Sequence, residues 1–92
     1  MIAFLTLELR IEAAQSLKDK RQVVRSLKDR LRAHFNVAVA ELDHQDAWQQ
    51  ATLGVVSISN SQPLLESVFQ HVLAESERIL GQDVAHHTLD FF

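Results

Sequence analysis

The sequence predicts an α+β domain with the element order βαββαβ. Three observations carry this: strict apolar alternation near the start of the chain, two segments with apolar residues at helical spacing, and short Val/Ile/Leu-rich stretches between and after them. At 92 residues, 47% hydrophobic and 23% charged, residues 1–92 have the size and composition of one folded globular domain.

The first strand is read from Leu5 to Ile11, where Leu5, Leu7, Leu9 and Ile11 share one face and Thr6, Glu8 and Arg10 the other. Ser16 follows, three residues before Asp19, an arrangement like a capping box. The hydroxyl can accept from an unpaired amide, and the carboxylate suits the positive end of a helix. A helix is therefore expected from Leu17 to about Phe35, with Leu17, Val24, Leu27, Leu31 and Phe35 as its apolar stripe and Val23 at the stripe's edge. Asn36–Asp43 and Thr52–Ser59 read as the second and third strands, joined by residues 44–51, which hold the only tryptophan, Trp48. Asn60-Ser61-Gln62-Pro63 marks a second helix start, since Asn and Ser cap helices and proline is tolerated in the first turn. Its stripe runs through Leu65, Val68, Phe69, Val72, Leu73, Ile79 and Leu80, and Gly81 suits a terminating residue. Asp83–Phe92 should be the fourth strand, with weaker alternation than the first.

This order is the split βαβ arrangement of ferredoxin-like domains: a four-stranded antiparallel sheet with two helices on one face. The other face is then open. The third strand places Leu53 and Val55 on one side and Val56 and Ile58 on the other, so both of its faces are apolar. A one-sided sheet in water disfavours this, and pairing of two chains through the open face, a homodimer, is the expected remedy.

Several function classes are set aside by what the sequence lacks. There is no cysteine for disulfides, thiolate metal sites or a thiol nucleophile, which fits a reducing compartment and leads to the expectation of a cytoplasmic protein. Met1 leads into the first strand without a basic leader, so no signal peptide is expected, and no apolar run approaches the roughly 20 residues of a membrane span. With Gly54 and Gly81 as the only glycines, there is no glycine-rich phosphate loop and no G-x-S-x-G elbow, so neither enzyme nor cofactor is expected. Glu41 and Asp43 are read on one face at the end of the second strand with His44 following, a weak acid–base grouping for which solvated carboxylates are the simpler account. Of the five histidines, His86 and His87 are densest, but neighbours on a strand point to opposite faces, so no metal site is expected. Trp48 is expected to anchor its loop against the domain, with an exposed contact residue as the alternative.

Several short runs occur together: Ser16-Leu17-Lys18-Asp19-Lys20-Arg21, Phe35-Asn36-Val37, Ala40-Glu41, Asp46-Ala47-Trp48-Gln49 and Ala51-Thr52-Leu53-Gly54. In combination they resemble the YlxP-like family, a small bacterial family classed as a domain of unknown function. The resemblance covers about the first two thirds of the chain; the last third follows the family only in general pattern, and Ala47 stands where a larger apolar residue is usual. It implies a ferredoxin-like fold and a gene placed among those for translation and ribosome maturation, with no established enzymatic activity and no site residues to carry over.

The residues themselves point to the first helix. Seven of the nine basic residues lie between positions 18 and 32, against only Asp19 and Asp29, so that segment carries +5 while the rest of the chain carries −8. At 100° per residue, Lys18, Arg21, Arg25, Lys28 and Arg32 fall within an arc of about 80° and extend over roughly 21 Å. Such a row suits a line of phosphates, and arginine's forked donors can grip a pair of phosphate oxygens. It also suits plain solvation of a helix face, with Asp29 able to pair with Arg25 and the cation stems covering apolar edges. The third strand has no aromatic residue on which a base could stack, so an RNA partner would be met by the helix, on a duplex or along the phosphate backbone, rather than by the sheet. The expected partner is RNA or the ribosome, with an acidic protein bound by a structural or regulatory homodimer as the alternative.

Overall fold

In the computed structural model, which describes residues 1–92, β1 spans Ile2–Arg10 and buries alternate residues: Ala3, Leu5, Leu7 and Leu9 are sealed, and Ile11 continues the row. Helix α1 (Leu17–His34) begins where Ser16 Oγ accepts from the Asp19 amide at 3.0 Å, while the Asp19 carboxylate takes the Gln15 amide at 3.0 Å. Two amides that the helix cannot satisfy are thereby paired. Strands β2 (Ala38–Asp43) and β3 (Gln50–Ile58) follow, then helix α2 (Gln62–Leu80), capped by Ser61 Oγ on the Leu64 amide. A 3-10 turn over Gly81–Asp83 leads into β4 (Val84–Phe91). Gly81 has φ +56° and ψ −126°, a conformation open to glycine and costly for residues with a Cβ.

The sheet order is β2-β3-β1-β4 with every neighbouring pair antiparallel, the ferredoxin-like topology. Cross-strand partners Leu5–Val55 and Leu7–Leu53 build the covered face, on which Val24, Leu27 and Leu31 of α1 and Leu65, Phe69 and Val72 of α2 are laid. Sealing each of these leucines contributes about 1.5–3 kcal/mol relative to exposure. A three-membered ion pair stands between the helices: the Glu75 carboxylate accepts from Arg30 Nε at 3.0 Å and from Arg78 Nε at 3.1 Å.

Strand limits differ from those the alternation suggests. Pairing of β1 with β3 runs without interruption from Ile2 opposite Ile58 to Arg10 opposite Gln50, so each strand extends as far as its partner reaches. Weak alternation in β4 follows from its place at the sheet's edge, where His86, His87, Thr88 and Asp90 are all exposed. In β2 the register slips between Glu41 and Asp43, leaving Leu42 as an extra residue. Its side chain folds over Gly54 on the open face: a Cβ there would lie 2.8 Å from Leu42 Cδ1 and 3.3 Å from Phe4 Cζ. Glycine is what admits both side chains. The rest of that face's apolar end is formed by Ile2, Ala38, Val56 and Ile58, the last 71% exposed. No helix is long and apolar enough to cross a membrane.

Candidate functional site

The seven cations of α1 divide sharply by environment. Two are neutralised within the domain. Arg30 joins Glu75, and Lys20 is fully buried, its ammonium donating to Glu41 Oε2 at 2.9 Å and to the carbonyls of His44 (2.7 Å), Gln45 (3.2 Å) and Gln50 (3.3 Å). The remaining five, Lys18, Arg21, Arg25, Lys28 and Arg32, have no carboxylate oxygen within 4.0 Å. Four are exposed and Lys28 is half-buried. The pairing of Arg25 with Asp29 that their spacing allows does not form. The four hydrogen bonds of Lys20 satisfy more than its three protons can serve singly, so at least one is shared.

Arg21, Arg25, Lys28 and Arg32 line a shallow groove of about 300 Å³ between α1 and the edge strand β2, with Val24, Asp29 and Glu41 completing its wall. Of its two carboxylates, Glu41 is already neutralised by Lys20, whereas Asp29 stands free among the cations. The groove thus presents an excess of unpaired positive charge along one open channel. Lys18 lies beyond its wall, one residue from the strong anchor at Asp19 and two from Lys20.

Next to Lys20 sits the loop between β2 and β3. It is held at several points besides the three carbonyls already named: Gln49 Nε2 donates to the carbonyls of Glu12 (3.0 Å) and Ala14 (3.1 Å), the Ile11 amide donates to Gln49 O at 2.8 Å, and the Ala47 amide donates to His44 O at 3.0 Å. His44 takes φ +65°, and the Asp43 carboxylate accepts its amide at 2.7 Å. From this pinned loop Trp48 projects with 55% of its surface exposed, contrary to the anchoring role expected for it; the loop is anchored by Lys20 and Gln49 instead.

The acid–base grouping of Glu41, Asp43 and His44 is assembled only in part: His44 Nε2 lies 3.9 Å from Asp43 Oδ2, but Glu41 is on the other face. The slip at Leu42 places Glu41 opposite Leu53 of the covered face and Asp43 opposite Thr52 of the open face. Glu41 lines the cationic groove, while His44 lines a separate hollow of about 100 Å³ with Glu8, Arg10 and Gln50. His86 lies opposite Glu8 and His87 opposite Leu7, so the two rings, 6.5 Å apart, belong to opposite faces.

The buried state of Lys20 escaped a reading by residue type, yet a signal was present. Leu17, Lys20, Val24, Leu27 and Leu31 are spaced 3, 4, 3, 4, so Lys20 occupies a place on the apolar stripe itself. A cation at a stripe position must either snorkel or meet partners supplied by the fold.

Comparison with known proteins adds lineage. Residues 2–88 match a family model described as a protein of unknown function, DUF503. Over 74 residues, 80% of this chain and 80% of the other, the chain is 39% identical to the "Uncharacterized protein YlxP" of Bacillus subtilis strain 168. Among solved structures, one titled "Structural Genomics, protein YJCS" superposes with a TM-score of 0.57 over 100% of this chain and 99% of that one. At 9% identity that likeness concerns the fold alone.

Proposed function

The chain belongs to the DUF503 family of proteins of unknown function, and since that membership assigns no activity, we propose from its own residues that it is a non-enzymatic protein that binds RNA through the basic flank of α1, with ribosome assembly or translation as the setting that the family resemblance implies. The observation that carries the reading is selective neutralisation. The domain has enough carboxylates to pair every cation of α1, yet only the two that meet the sheet side or α2 are paired, and the other five, the four that line the groove and Lys18 beyond its wall, are left free. A solvated face needs no such alignment, whereas a strand of phosphates does. The acidic remainder of the chain, −8 outside residues 18–32, would discourage docking by any other face.

The test is fluorescence anisotropy of labelled RNA across a salt series. About five phosphate contacts give a slope of log K on log salt of about −3 to −4.5. Reversal of three charges, R21E/R25E/K28E, should abolish binding while leaving the circular dichroism spectrum unchanged. Unaltered affinity in that variant rejects the reading. If pull-down with tagged protein recovers acidic protein partners that survive nuclease, the same cations serve protein binding instead.

A second reading concerns assembly. The exposed Ile2, Leu42 and Ile58, with Phe4 and Val56 between them, make the open sheet face self-complementary in its apolar character, and pairing of two copies there would remove this surface from water. Sedimentation equilibrium at micromolar concentration should give twice the chain mass, and Ile58→Asp should give the monomer. A monomeric parent protein would exclude this reading.

A further inference from the structure

We infer that Trp48 is a base-stacking contact at the head of the cationic row, and that the RNA bound is single-stranded; this rests on the RNA reading above and narrows it. An indole left 55% exposed on a flexible loop would mean little, since such a loop could fold it away at small cost. Here the loop is not free to do so. Its carbonyls at His44, Gln45 and Gln50 are fixed on the fully buried Lys20, and Gln49, the residue next to Trp48, is tied by side chain and backbone to the segment preceding α1. A large aromatic is thus presented to solvent from a backbone held on both sides by hydrogen bonds, so that the entropy of ordering the loop is already spent in folding.

Lys20 lies between Lys18 and Arg21 on α1, so the loop is moored to the same helix, at the same end, as the first two cations of the row. Glu41, which pairs with Lys20, is also a wall of the groove lined by Arg21, Arg25, Lys28 and Arg32. A polyanion lying along the groove from Arg32 toward Arg21 therefore arrives at the support that carries Trp48. Phosphates alone have no use for an indole there, whereas an unpaired base does, because every base offers a face for stacking. In a duplex the bases are stacked inside and cannot reach the ring. The absence of aromatic residues from β3 fits the same account: the stacking group stands on the loop beside the helix and not on the sheet.

The chain has one tryptophan and no tyrosine, so its emission reports Trp48 alone. The probes are fluorescein-labelled oligouridylate and oligoadenylate of about twelve nucleotides, a duplex of the same length, and inorganic polyphosphate as a base-free polyanion. Binding is followed by anisotropy and, with unlabelled oligonucleotides, by tryptophan emission. The expected result is quenching by both single strands, a roughly 5- to 100-fold weaker affinity for them in Trp48→Ala, and recovery of most of it in Trp48→Phe. Polyphosphate should bind without quenching and with equal affinity to parent and W48A. Single-strand binding with neither quenching nor loss in W48A overturns the inference and leaves the RNA reading standing, as does tighter binding of the duplex. No binding of any RNA overturns both.

Discussion

Replacing Lys20 by methionine tests the account of how the loop and helix are held together. Methionine keeps most of the buried aliphatic volume, so what is lost is the ammonium: its 2.9 Å ion pair with Glu41 and its bonds to three carbonyls. Breaking a buried ion pair from one side costs about 3–5 kcal/mol. The Glu41 side chain retains 19% exposure and can recover some hydration, which lowers that figure. The carbonyls act in the other direction: Gln45 O and Gln50 O lose the ammonium while His44 O keeps the Ala47 amide, and each unsatisfied buried acceptor costs about 1–3 kcal/mol unless the loop opens to water. A net loss of about 3 kcal/mol is expected. A domain of this size has about 5–14 kcal/mol in total. With a urea m value of about 1–1.5 kcal/mol per molar, the unfolding midpoint should fall by roughly 2–3 M. Far-ultraviolet circular dichroism follows the global transition. If the stranded Glu41 charge dominates, Lys20→Met should cost about 1–3 kcal/mol less in a Glu41→Gln background. A loss below about 1 kcal/mol would refute the claim that Lys20 is a buried tie rather than a displaced surface cation, and strict additivity of the two substitutions would place the loss at the carbonyls instead of at Glu41.

Three further outcomes follow from the structure. Hydrogen bonds from Arg78 and then Arg30 hold the Glu75 carboxyl well below its ordinary value, at about 2; the unfolded chain therefore takes up this proton first on acidification, so its contribution to stability is complete above about pH 4.5 and is lost as pH falls toward 2. Melting temperature should decline over that window, and Glu75→Gln should flatten the decline; an unchanged profile would discount the network. Gly81→Ala meets no atom within 4 Å, so its cost is backbone strain, about 1–3 kcal/mol by chemical denaturation, and a neutral result would mean that the positive φ is not needed. Ser76 is fully buried and its hydroxyl donates to the Val72 carbonyl at 2.8 Å within α2, a bond that alanine removes without stranding a buried donor; Ser76→Ala should stay within about 0.5 kcal/mol of the parent or stabilise it slightly, and a large loss would signal an unrecognised role for the hydroxyl.

Local period and local chemistry were enough to set the element order, the covered face of β1, the caps at Ser16 and Ser61, the terminating Gly81 and the alignment of five cations on one flank of α1. These depend on residues no more than about four apart, whose relation a helix or strand fixes by itself. The ferredoxin-like topology was legible for the same reason, since two helices alternating with four strands have few un-knotted arrangements. What the tertiary structure decided involves partners far apart in the chain. Lys20 meets Glu41 across 21 residues and Arg30 meets Glu75 across 45, so which cations of α1 remain free depends on what the fold brings beside each one. Burial of Lys20 in turn moors the loop, which is why Trp48 is left exposed although its size alone favours anchoring. Likewise the slip at Leu42, which separates Glu41 from Asp43, depends on Gly54 of the neighbouring strand leaving room for a side chain. Sequence period assigns a residue to a face; only packing decides what that face meets.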